Sequence, residues 1–113
     1  MENVENTEHI GTFQKRNVDA KRRILLPKTL LANTQVFVLV QETPKEVRLY
    51  SYNKWSLYIR IVGEVKKLEL EKTRKMFRLD KVNRMVLPKE MNWKKVDLTG
   101  MLDYIAITES KTE

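Results

Sequence analysis

The sequence predicts a mixed α+β, β-rich fold built from two tandem copies of one short unit. Three observations predict it: a motif that occurs twice, short apolar runs bounded by turn residues, and one stretch of helical periodicity between the copies. Residues 18–30 read Val-Asp-Ala-Lys-Arg-Arg-Ile-Leu-Leu-Pro-Lys-Thr-Leu, and residues 79–91 read Leu-Asp-Lys-Val-Asn-Arg-Met-Val-Leu-Pro-Lys-Glu-Met. Aligned without a gap, Asp19 matches Asp80, Arg23 matches Arg84, and Leu26, Pro27 and Lys28 match Leu87, Pro88 and Lys89. Apolar residues also correspond: Val18 with Leu79, Ile24 with Met85, Leu25 with Val86 and Leu30 with Met91. Self-similarity this dense marks a structural repeat.

The elements follow in order. Residues 1–9 are polar and acidic, lack the apolar centre of a signal peptide, and read as a tail. In each repeat an apolar residue leads into Asp, then a polar loop, then Arg and a short apolar run stopped by Pro. That is a strand, a tight loop and a second strand, with the Asp accepting hydrogen bonds from loop amides. Pro27 and Pro88 cannot donate to a ladder but suit a first helical turn, which predicts short helices at 27–32 and 88–93. Val36, Phe37, Val38, Leu39 and Val40 form a continuous apolar strand, residues 42–45 a turn, and residues 47–50 the returning strand. Ser51 or Asn53 caps a helix whose buried face is Trp55, Tyr58, Ile59 and Val62, and Gly63 breaks or ends it. Residues 65–78 carry Glu and Lys at helical density but alternate at Leu68 and Leu70, a helix that fades into a strand near Met76. The second repeat then shows a longer connection and one strand at 104–108, so it is expected to lack the returning strand. The resulting division is a tail at 1–9, a first repeat at 10–52, a helical connection at 53–71, a shortened second repeat at 72–109 and a tail at 110–113.

Composition bounds the chemistry. Among 113 residues there are 22 Lys and Arg against 15 Asp and Glu, a net charge of +7 and a pI near 9.7. A polyanion is therefore the first partner to consider. Without cysteine there are neither disulfides nor thiolate metal sites, and no apolar run approaches the roughly 20 residues of a membrane span. A cytoplasmic protein with no membrane partner is expected. A 42% apolar content supports a packed core, but so short a chain buries limited surface alone, and self-association is expected.

Catalysis finds little support, and the chain is not expected to be an enzyme. His9 is the one histidine and lies in the polar tail, and three glycines make no phosphate loop. Asp19 and Asp80 sit among basic residues with no third ligand, so neither a metal nor any other cofactor is implied, and no small-molecule substrate. Trp55, Tyr50 and Tyr58 fall on apolar periodicities and read as core.

The sequence resembles the MraZ family, whose members are similar to doubled AbrB-type swapped-hairpin units. The resemblance is carried by Gly11, Thr12 and Phe13, by the two Asp-x-x-x-Arg motifs each ending in Pro, and by Val47, Arg48, Leu49 and Tyr50 ahead of Trp55. It covers residues 10–108. What it implies is a small pseudo-symmetric β-barrel with short helices. It also implies a transcriptional regulator that binds repeated promoter DNA through the motif loops and assembles as a dimer or ring in the nucleoid. The family usually has Gly just before the motif Arg, where this chain has Arg22 and Asn83, and both the central helix and the second unit are short.

Charge placement points the same way independently. Lys15, Arg16, Lys21, Arg22 and Arg23 crowd the first hairpin, and Arg74, Lys75, Arg78, Lys81 and Arg84 crowd the second. Arg suits bidentate contact with phosphate or guanine, whereas Lys acts as a point charge. A charge run by itself describes only a solvated face, and Lys66, Lys67 and Lys72, interleaved with Glu64, Glu69 and Glu71, fit local pairing. Arg23 and Arg84 have a second reading, since each lies four residues after its Asp and can hold the loop. The partner expected is double-stranded DNA. The rival readings are an AbrB-like antitoxin that binds its promoter and a toxin, disfavoured by the short segment after Thr108, and a basic protein-interaction module.

Overall fold

The structure, a computed structural model, describes residues 11, 13–28 and 35–110. Among these residues it is a strand-rich α+β fold with two α-helices. The strands are β1 (Phe13–Asn17), β2 (Arg23–Leu25), β3 (Val36–Thr43), β4 (Glu46–Ser51), β5 (Lys75–Arg78), β6 (Arg84–Val86), β7 (Lys95–Gly100) and β8 (Ile105–Glu109). The helices α1 (Tyr52–Ile61) and α2 (Glu64–Thr73) lie between the repeats. Six strands form one sheet in the order β1-β7-β8-β4-β3-β5, and β2 pairs with β6 in a separate ribbon; every pairing is antiparallel.

The pairings run across the repeats. β1, from the first, is laid against β7 of the second, and β5, from the second, against β3 of the first. The ribbon joins the second strand of each motif, and β4 meets β8 at the centre of the sheet. Neither repeat therefore holds its own first strand, and each is completed by the other.

Two layers cover the sheet. On one side Phe37, Leu39, Val47, Leu49, Val96, Leu98, Ile105 and Ile107 face the ribbon's Ile24 and Met85, with Leu26, Leu87 and Met91 in the same core. On the other, Val38, Val40 and Tyr50 pack under Trp55 of α1 and Leu70 of α2. That two-sided burial is why residues 36–40 are continuously apolar. Tyr50 anchors the helical layer, its ring 5.4 Å from Trp55 in an edge-to-face pair and 5.3 Å from Tyr58 in a stack, and burial pushes its phenol up to about 12. Ser51 is the residue that caps α1, its hydroxyl accepting from the Lys54 amide at 3.2 Å. Gly63 separates two helices rather than ending one, and Arg74 is extended, so residues 64–78 resolve into helix then strand. Along β4, Arg48 bonds Glu46 at 2.8 Å and lies 4.3 Å over the Tyr104 ring, while Lys66 of α2 reaches Glu42 at 2.7 Å.

Three sequence expectations are corrected. The sheet does not close into a barrel: β1 and β5 are its two edges, because the ribbon already covers the apolar face that closure would have enclosed. Residues 88–93 form a single turn, with the Met91 amide bonded to the Pro88 carbonyl at 3.0 Å, since Met91 is drawn into the core before a helix can extend. The second repeat has its full strand pair, β7 and β8, rather than a long connection and one strand. The helix expected at 27–32 lies outside the described residues beyond Lys28.

Trp55 is the main buried contribution of α1. Trp55→Ala is expected to cost about 3–5 kcal/mol in urea unfolding. A loss below about 1 kcal/mol would show that the helical layer is held by other contacts.

Candidate nucleic-acid interface

Each Asp-x-x-x-Arg motif folds into the same loop. The Asp19 Oδ1 accepts from the backbone amides of Lys21 at 2.9 Å and Arg23 at 2.8 Å, while Oδ2 accepts from Arg23 Nε at 2.8 Å. Asp80 repeats the pattern with the amides of Val82 and Arg84 at 3.1 and 2.8 Å and with Arg84 Nε at 2.9 Å. The Arg22 and Asn83 amides donate back to the carbonyls of Asp19 and Asp80. Closing so short a loop needs one left-handed residue, and both Arg22 and Asn83 adopt φ 61°. Asn accommodates this more easily than Arg, because its short polar side chain can hydrogen-bond the local backbone and offset the crowding of Cβ against the following carbonyl.

The left-handed residues then join the repeats. The Leu87 amide donates to the Arg22 carbonyl at 2.8 Å, and the Leu26 amide to the Asn83 carbonyl at 2.9 Å. These two bonds flank the ladder Arg23↔Val86, Ile24↔Met85, Leu25↔Arg84 and hold both loops at opposite ends of one ribbon.

The ribbon brings together Lys21, Arg22 and Arg23 from the first loop with Lys81 and Arg84 from the second. Lys21 and Lys81 are exposed at the loop tips. Arg16 lies alongside, its Nε donating to the Leu25 carbonyl at 3.2 Å and Nη2 to Gln14 at 2.7 Å, so much of its guanidinium is engaged. Arg22 borders an open cavity of about 440 Å³ with Trp93, Asn92 and Lys94, and its Nε is buried without a hydrogen-bond partner among the described residues.

Four of the expected residues lie elsewhere. Lys15 sits opposite Asp97 in the register, on the sheet face away from the ribbon, and binds that carboxylate and Ser110 Oγ at 3.0 Å each. Arg78 is also turned to that face and donates to Gln35 at 3.1 Å. Arg74 and Lys75 line a separate groove of about 430 Å³ with Lys72 and Lys89. Lys89 was missed in the sequence, although its identity with Lys28 in the repeat was the available signal.

Among the described residues no three His, Asp or Glu side chains are placed to hold a metal, and no helix is long and apolar enough to cross a membrane. In comparisons with known proteins, neither a family model nor a curated protein matches the chain.

The backbone N–H of Arg23 is the chief cause that holds the Asp19 carboxyl below its ordinary value of 3.8, with the Arg23 guanidinium and the Lys21 amide adding to it against some desolvation. The Arg84 amide does the same for Asp80. A depressed carboxyl stabilises the fold above its unfolded value and loses that contribution as the pH falls through the folded one. Melting temperature is therefore expected to drop below about pH 4, and the double variant Asp19→Asn/Asp80→Asn to melt several degrees lower at neutral pH with a flatter acid limb. Identical pH profiles for variant and wild type would remove the carboxylates from the loop's stability. Arg22→Gly relieves the left-handed strain and is expected to stabilise the chain by about 0.5–1 kcal/mol, read from urea midpoints; destabilisation would mean that the Arg22 side chain outweighs the strain.

Proposed function

We propose that the chain is a sequence-specific, double-stranded-DNA-binding transcriptional regulator of the MraZ/AbrB type, with no catalytic role. In this reading the two repeats form a pseudo-two-fold swapped-hairpin unit whose clasped loops are applied to DNA. The observation that carries it is the ribbon: Lys21, Arg23, Lys81 and Arg84 share one surface, and its two nearby carboxylates, Asp19 and Asp80, are already engaged by loop amides and the motif arginines. Such a surface presents the exposed Lys21 and Lys81 ammoniums to phosphates, while Arg23 and Arg84, each paired with its Asp through Nε, keep their outer edges for a further contact. Arg16 and Arg22 border it, whereas Lys15 and Arg78 are assigned to the sheet's other face and Arg74 and Lys75 to a flanking groove.

A single ribbon offers few phosphate contacts, so a homo-oligomer that repeats it gains affinity through effective concentration. Association with the nucleoid in the cytoplasm follows from the same reading.

The test is binding of nuclease-treated protein to labelled duplex from the region upstream of its own gene, with scrambled duplex as control, across a salt series. Tight, salt-dependent, sequence-selective binding is expected. The variant Lys21→Ala/Lys81→Ala should melt like wild type, bind about tenfold or more weakly near 0.1 M salt, and lower the salt slope by roughly 1.8. Wild-type slope and affinity in the folded variant would take both loop tips off the DNA.

A further inference from the structure

The ribbon's outer face carries more than charge. Alternation along β2 and β6 sends Ile24 and Met85 into the core and Arg23, Leu25, Arg84 and Val86 outward. The register sets Arg23 across from Val86 and Leu25 across from Arg84, so the arginines occupy one diagonal and the aliphatics the other. Leu25 is 51% exposed and Val86 48% exposed. Strand propensity suits an aliphatic at either position, but about half of each side chain is left exposed to solvent. Both repeats nevertheless place one there.

We propose that Leu25 and Val86 read thymine methyl groups in the major groove, which makes the ribbon's outer face a four-residue sequence reader. This rests on the DNA-binding reading above and names what the same surface recognises. Charge complementarity commits the face to DNA: the aliphatics stand opposite Arg23 and Arg84, with Lys21 and Lys81 exposed in the loops at the ribbon's ends and Asp19 and Asp80 paired to the arginines. The 5-methyl of thymine is the apolar group that a major-groove edge presents, and that groove admits a two-stranded ribbon. The dimensions agree. Diagonal positions on an antiparallel pair lie about 7–8 Å apart, close to two base-pair steps of roughly 3.4 Å each. Leu25 and Val86 thus address thymines about two steps apart.

The arginines are set for the neighbouring contacts. Asp19 and Asp80 engage each guanidinium through Nε, and among the described residues neither Nη nitrogen of Arg23 or Arg84 donates a hydrogen bond. The carboxylates fix the planes of the two guanidiniums while their outer edges stay available to guanine or phosphate.

The experiment begins by enriching duplexes that the full chain binds from a random-sequence pool, then resynthesising them with deoxyuridine in place of every thymidine. Wild type is expected to bind the uracil duplexes about tenfold more weakly, the effect of losing two methyl contacts, with the salt slope unchanged. The variant Leu25→Ala/Val86→Ala should bind thymine duplex about as weakly as wild type binds uracil duplex, and should not distinguish the two. Wild-type indifference to uracil overturns the proposal while leaving DNA binding intact. A folded variant that keeps the full uracil penalty also overturns it, and a changed sedimentation coefficient in that variant would assign the pair to self-association. Failure to enrich any duplex above scrambled DNA at low salt overturns the DNA reading and this proposal together. The uracil comparison on wild type needs no substitution, so it decides the matter even if the variant does not fold.

Discussion

The structure depends on a reciprocal clasp: the carbonyls of two left-handed residues, Arg22 and Asn83, accept the amides of Leu87 and Leu26 from the opposite repeat. A left-handed turn rotates its carbonyl out of the loop, and here each rotated carbonyl supplies the acceptor at the end of the β2–β6 ladder. The Asp of each motif makes this possible by taking two amides inside its loop, which would otherwise be left unpaired as the chain reverses. Loop chemistry and the union of the repeats are thus one constraint. An isolated repeat would have the loop and no acceptor for its Leu amide.

The clasp also determines how the core is organised. Because β2 and β6 are bound to each other, their inward residues Ile24 and Met85 form a lid over the apolar face of the six-stranded sheet. β1 and β5 are free to cross to the other repeat, which brings Val96 and Leu98 into the same core as Phe37 and Leu39. The helices complete the other side over β3 and β4. Burial is therefore deepest where both layers meet the sheet, and β7, covered on one face, alternates buried and partly exposed residues along its length.

That asymmetry explains what was legible in the sequence. The strand at 36–40 and the helix bearing Trp55 were read directly, since two-sided burial leaves an apolar run and one-sided helical burial leaves an i, i+3, i+4 spacing. The loop geometry was readable from Asp and Arg four residues apart. β7 was missed because Val96 and Leu98 are its only large apolar residues among Lys95, Asp97 and Thr99, too weak a signal once only one face is buried. The helix expected after Pro88 was overruled by tertiary packing at Met91. The basic residues were found, but their faces were not: strand alternation says that Lys15 and Arg16 point oppositely, while which one meets the ribbon is settled by the partner strand, β7, which lies in the other repeat.

The two loops share one hydrogen-bond scheme and differ in what they display. Aligned through the repeat, Ala20, Lys21 and Arg22 stand where the second loop has Lys81, Val82 and Asn83. The backbone requirement at the last of these positions is the same, since both residues sit at φ 61°. Asn83 meets it with little strain, whereas Arg22 does so against its preference and buries an Nε that has no hydrogen-bond partner among the described residues, beside the cavity at Trp93. Folding alone would favour Asn or Gly at both sites, so a residue that costs the fold at one of them implies a gain outside it. An added cation at the edge of a surface already rich in Lys and Arg has such a gain only if that surface meets negative charge. For the proposed polyanionic partner, the strain at Arg22 is a support independent of net charge, because it concerns where the charge is placed and what placing it costs.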